Sequence, residues 1–257
     1  MENIQNEERA NEEVQYETDD APFTVGGVLG ITWRTLFNNP VVFCGLALIT
    51  IILGFLAMYV LSTTIPGLGK EALNFCNQLI GLILGQWIGG AIAYGVYQKH
   101  IGRRALLGAS IFHGTRRLIQ LIFIGILYGI GVFLGALLFI VPGIILMCMW
   151  DVAAPACVVE RLGAADSLSR SAELTKGYRM KILGLNLIII IFLYVANWIC
   201  LALFITPSVG PIINLIILTV VILIPATFGN VMPSVAYFEL RRVKEGVAVD
   251  SLANVFD

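Results

Sequence analysis

The chain has 257 residues, of which 58% are apolar and only 13% charged, with a formal net charge of −1. Soluble domains average about 45–50% apolar and about 25% charged, so an ordinary soluble domain is excluded by its long apolar runs rather than by length, since a chain of this size could bury a core. No nucleic-acid partner is expected.

Residues 1–22 hold eight acids (Glu2, Glu7, Glu8, Glu12, Glu13, Glu17, Asp19, Asp20) against Arg9 alone. Such a stretch buries too little apolar surface to offset its ordering entropy, so a disordered tail is expected. It lacks the basic and apolar regions of a signal peptide, which leaves the first span as an uncleaved insertion signal. Val25, Val28, Leu29, Thr32 and Leu36 then recur at helical spacing, with Arg34 opposite and Trp33 at the boundary, as in a helix lying in a membrane interface.

Two apolar runs follow, Pro40–Leu61 and Leu73–Tyr97, each near or above the ~20 residues needed to cross the hydrocarbon core. The second places Asn74, Gln78 and Gln86 on much of one face, where they would hydrogen-bond between helices or line a cavity. Its Gly81, Gly85, Gly89 and Ala93 form a small-residue stripe. Gly125 and Gly129, then Gly131 and Gly135, repeat the pattern on the third run, Leu118–Val141. These stripes predict close helix packing within the protomer or between copies. The linker before that run carries His100, Arg103, Arg104, Leu107, Ile111, His113, Arg116 and Arg117. It reads as a weaker amphipathic helix, in a basic setting that argues against a metal.

The piece "PGIILMCMWDVAAPACVV" is short, and Asp151 and Pro155 interrupt it. Lys and Arg placement decides that it crosses. Fifteen of the 16 Lys and Arg then lie on one side and Lys70 alone on the other. Six spans with both termini cytoplasmic is the resulting topology. A charge at mid-bilayer is costly, by about 2.5–3.5 kcal/mol on the insertion scale. Asp151 is therefore either paired structurally or engaged with substrate or protons. From Ala164 to Lys176 the helical wheel groups Ala164, Ala165, Leu168 and Ala172. Asp166, Arg170 and Glu173 stand opposite as a solvated ion-pair ladder of small worth, and Gly177 ends the helix. Spans Ile182–Ile205 and Ile212–Phe238 follow. The first of these carries Asn186 and Asn197 on one face, which with Asp151 and Glu160 make up the candidate polar cavity or pairing group.

Three basic segments, "TWRTLFNNPVVF", "GASIFHGTRRLI" and "RSAELTKGYRMKI", each place an apolar residue three before a Gly or Asn and then enter a span. A threefold repeat with units of about 23–98, 103–159 and 162–239 is expected. The domain plan is thus a tail 1–22, a membrane domain 23–240 and a C-terminal tail 241–257. The five cysteines show no ligand spacing and read as small buried hydrophobes, with a Cys76–Cys200 disulfide open.

Residues 142–185, "PGIILMCMWDVAAPACVVERLGAADSLSRSAELTKGYRMKILGL", resemble the signature of bacterial YciC-like membrane proteins. That grouping includes the membrane domain fused to some glycerophosphodiester phosphodiesterases. Pro142-Gly143, Ala154-Pro155, Glu160, Leu168, Arg170-Ser171, Leu174 and Gly177 carry the resemblance, whereas Asp166-Ser167 stand where Glu-Ala is usual. It implies a multi-pass protein of a bacterial plasma membrane, without the soluble phosphodiesterase domain.

No catalytic constellation, cofactor motif or metal ligand set is present, so an enzyme is not expected. The reading is an all-α membrane bundle that binds, moves or organises lipid or another amphipathic molecule. Its alternative is a structural or assembly partner, as a homo-oligomer or with another membrane protein. Arg103, Arg104, Arg116, Arg117, Arg179 and Lys181 are the candidate contacts to lipid head groups.

Overall fold

The computed structural model describes residues 22–65, 67, 69–100, 105–205 and 211–246, and every regular element among them is an α-helix. The acidic segment up to residue 21, Arg103, Arg104 and the tail beyond residue 246 lie outside the described residues. In chain order the helices are α1 (Val25–Asn38), α2 (Pro40–Thr64), α3 (Lys70–His100), α4 (Leu107–Arg116), α5 (Leu118–Leu138), α6 (Ile140–Trp150), α7 (Ala153–Val159), α8 (Ala164–Thr175), α9 (Arg179–Ile205) and α10 (Pro211–Glu245). Six stretches among them are long and apolar enough to cross a membrane: Pro40–Thr64, Lys70–Lys99, Leu118–Leu138, Ile140–Val159, Arg179–Ala202 and Thr219–Glu245. Short helix, long helix, long helix is the order three times over, with α6 and α7 together forming one long member.

Local chemistry sets the boundaries. Thr24 accepts the Gly27 N–H at 3.1 Å and caps α1. Pro40 opens α2, where a missing N–H costs nothing. Gly177, at φ +90°, supplies the left-handed residue that ends α8. Pro155 has no N–H to offer the Asp151 carbonyl, and the fourth span is broken at Asp151 and Val152, between α6 and α7.

Burial is uneven along the bundle. The core gathers in the half nearest the basic segments: Phe43 and Leu46 of α2, Ala91–Ala93, Val96 and Tyr97 of α3, Leu121 of α5, Ala153–Val159 of α7, and Val231–Leu240 of α10. Toward the opposite end large apolar side chains face outward, among them Phe55 (74% exposed), Phe133 (65%), Leu138 (71%) and Ile191 (61%). An apolar surface this extensive is unsuited to water and is matched by hydrocarbon. The protein is thus tight at its basic end and looser at the other.

Two sequence expectations are met only in part here. Within the protomer the α3 stripe packs no helix among the described residues: a Cβ on Gly81, Gly85 or Gly89 would meet nothing within 4 Å, and the same holds for Gly129. Close approach does occur on the predicted α5 stripe, where a Cβ on Gly131 would run into the Trp150 ring and one on Gly135 would sit 3.1 Å from the Gly143 backbone. A Cβ on Gly114 would sit 2.9 Å from the Ala91 backbone, one on Gly125 2.8 Å from Gln86, and one on Gly143 2.8 Å from the Ala136 backbone. The α8 wheel is also rotated from the expected one. Ser167, Leu168, Ser171, Leu174 and Thr175 are buried while Ala165 is exposed. All five cysteines are free thiols, Cys76 and Cys200 included.

Candidate functional site

The rotation of α8 follows from the break in the fourth span. The Met149 carbonyl at that break accepts hydrogen bonds from Ser171 (2.8 Å) and Thr175 (3.2 Å). Buried carbonyls need partners, so hydroxyls rather than alanines face inward. Arg170 is thereby carried onto Glu160 at the end of α7, with Nε 3.0 Å from both carboxylate oxygens, and onto Glu245 at the end of α10. Glu160 also accepts from the Tyr237 hydroxyl at 2.7 Å, and Arg241 donates to Glu245 at 2.9 Å and to Tyr237 at 3.2 Å. Burial pulls the Arg170 pKa down, but its bonds to Glu245 and Glu160 outweigh this and hold it above the ordinary arginine value. This corrects the solvated ladder: Arg170 clamps α7, α8 and α10 together, Glu173 is a distant third partner at 3.5 Å, and Asp166 is in no ion pair among the described residues. Lys244 completes the clamp by donating to the Glu173 carbonyl at 2.6 Å, near the C-terminal end of α8.

Asp151 lies at the break itself. Its Oδ1 accepts from Asn186 of α9 at 3.2 Å, and its Oδ2 is sealed from solvent with no hydrogen-bond partner among the described residues. Asn197 does not join them. It lies 11 residues further along α9, about 16 Å at the helical rise, and it is exposed. Glu160 belongs to the clamp and not to this pair. Of the two alternatives for Asp151, Glu160, Asn186 and Asn197, pairing is realised between Asp151 and Asn186 alone, and no polar cavity joins the four.

A cavity does exist, elsewhere. A cleft of about 820 Å³ runs between α2, α3 and α10 in the looser half of the bundle. Ile51, Gly54, Phe55 and Met58 wall one side, Ile80, Gly81, Leu84 and Gly85 the second, and Ile222 and Ala226 the third. Its few polar groups are Thr50, Asn77, Thr219 and Asn230. Residues 47–58, 77–88 and 219–230 line it, so it follows each helix for about 16 Å. Thr50 and Asn230 already turn a polar atom onto their own helix, bonding the Leu46 carbonyl at 2.9 Å and the Ala226 carbonyl at 2.7 Å. The glycines explain the opening, because bulkier residues at 81 and 85 would fill it. Asn74 and Gln78 are exposed and outside the lining, and Gln86 packs on Gly125 instead.

The remaining predicted residues divide. Arg116 and Arg117 line a small pocket with His113, Val158 and Arg161 at the basic end. Lys181 donates to the Phe23 carbonyl at 2.6 Å and lies over the Tyr178 ring, so it ties down the chain before α1. Arg179 has a buried Nε with no hydrogen-bond partner among the described residues. Among the described residues no group of three or more His, Cys, Asp or Glu is placed to hold a metal ion. Sequence reasoning missed the cleft and Arg161. The one signal for the cleft was the glycine stripe, read as packing.

Fold and cleft together define the class, a multi-pass helical membrane protein with an apolar recess at membrane depth. Comparison with protein-family models, with curated proteins and with solved structures finds no match.

Proposed function

We propose that this protein is a non-enzymatic membrane protein that binds an amphipathic lipid, seating apolar chain in the cleft between α2, α3 and α10. The cleft carries the reading: its volume of about 820 Å³ falls within the ~300–1,000 Å³ of small-molecule sites, and an apolar lining with few polar groups is their usual character. The basic end is read as cytoplasmic, because lysines and arginines are retained on that side of a membrane. The resemblance of residues 142–185 to YciC-like proteins supports a bacterial plasma membrane as the setting. A second reading, assembly with another copy or another membrane protein, is favoured by the same open glycines, since a small-residue stripe admits a partner helix.

Native mass spectrometry of the gently solubilised full chain separates them. The lipid reading expects a lipid retained at fixed stoichiometry and lost in Gly81→Leu/Gly85→Leu. A protein dimer lost in that variant, with no lipid retained, would establish the assembly reading instead.

A further inference from the structure

The pocket at the basic end is independent of the cleft and shares no lining residue with it. It encloses about 80 Å³, against the 10–15 Å³ or so of such space that one water requires. Its polar lining among the described residues is His113, Arg116, Arg117 and Arg161, three guanidinium donors and an imidazole. Three elements bring these groups together. Arg116 ends α4, Arg117 is both the cap of α4 and the residue from which α5 starts, and Arg161 follows α7. The start of α5 adds the positive end of its helix dipole.

Two features fix the arrangement. His113 is stacked on Tyr94, with ring centroids 3.9 Å apart and planes at 13°. Arg161 has φ +56°, the left-handed conformation that helix ends usually give to glycine. A cation thus stands where backbone geometry alone favours glycine. Burial, then the nearby Arg161 and Arg116, hold the His113 pKa below its ordinary value.

We propose that this pocket binds a phosphate group, carried either by a phospholipid head group or by a free phosphate. Guanidinium groups match phosphate oxygens with two parallel hydrogen bonds, and Arg116, Arg117 and Arg161 bring three of them to one small pocket.

Isothermal titration of the full chain in neutral detergent tests this with inorganic phosphate, dihexanoyl phosphatidic acid and dihexanoyl glycerol. The phosphate-bearing probes bind, the glycerol lipid does not bind this pocket, and Arg116→Gln/Arg117→Gln weakens binding by about tenfold or more. Arg161→Gly does the same while relieving the backbone, which keeps the result clear of misfolding. Phosphatidic acid binding far more tightly than inorganic phosphate identifies a head-group site, whereas equal binding identifies a free-phosphate site. Gly81→Leu/Gly85→Leu leaves inorganic phosphate binding unchanged even if the lipid reading of the cleft fails. Absence of phosphate binding, or undiminished binding in both arginine variants, would overturn the proposal.

Discussion

Replacing Arg170 by Met tests whether the α7–α8–α10 clamp holds the basic end together. The side chains of Arg170, Glu160 and Glu245 are only 20%, 18% and 24% exposed. An exposed ion pair contributes up to about 1 kcal/mol, and breaking a buried one costs about 3–5 kcal/mol. The clamp lies between these, and Glu160 and Glu245 keep Tyr237 and Arg241 as partners. Arg170→Met is therefore expected to destabilise by about 2–3 kcal/mol. Thermal unfolding in a mild detergent, on the wild type, Arg170→Met, Glu160→Gln and the double variant, measures the coupling, expected at about 1–2 kcal/mol. Lys176→Met, on the exposed end of the same helix, is the control. If Arg170→Met costs no more than Lys176→Met, the clamp is an incidental surface contact and the argument fails.

Further outcomes follow from the same geometry. Gly114→Ala should destabilise by about 1–3 kcal/mol through overpacking, since its new methyl meets the Ala91 backbone at 2.9 Å, whereas Gly129→Ala, facing open space, should be neutral or stabilising; the two unfolding midpoints decide. Asp151→Asn keeps an acceptor for Asn186, so retained lipid should be unchanged and stability no lower, while Asn186→Leu leaves the buried Oδ1 acceptor unpaired and should cost about 1–3 kcal/mol. Loss of lipid in Asp151→Asn would assign that residue a direct role. His113 has a folded pKa below its ordinary 6.5, so the unfolded chain binds more protons as pH falls. Its contribution is intact above pH 6.5, declines as pH drops from there through the folded pKa, and then levels off. Unfolding followed against pH should show that decline flattened in His113→Gln.

Much of the scaffold is legible in the sequence because the bilayer demands uninterrupted apolar runs and confines charge to their ends. The interruption by Asp151 and Pro155 correctly marks a break, since a missing N–H is a property of the residue itself. What the break does to its neighbours is not legible. A wheel drawn on residues 164–176 favours an alanine face, but the Met149 carbonyl exists as an orphan only once α6 ends, and it selects Ser171 and Thr175. What the α3 glycine stripe faces is illegible for a related reason. Spacing shows that Gly81 and Gly85 share a side of α3, whereas only the placement of α2 and α10 decides whether that side meets a helix or a void. Asn186 and Asn197 share a face too, but the tight half of the bundle ends between them, so only Asn186 reaches Asp151.

The most direct test of the lipid-binding claim is photolabelling of the full chain in bilayers with a phospholipid carrying a diazirine on its acyl chain, followed by peptide mapping. Saturable labelling is expected at Ile51, Met58, Ile80 and Leu84, abolished by Gly81→Leu/Gly85→Leu. Labelling spread evenly over outward-facing residues such as Phe133 and Ile191, unsaturable and indifferent to that variant, would contradict it.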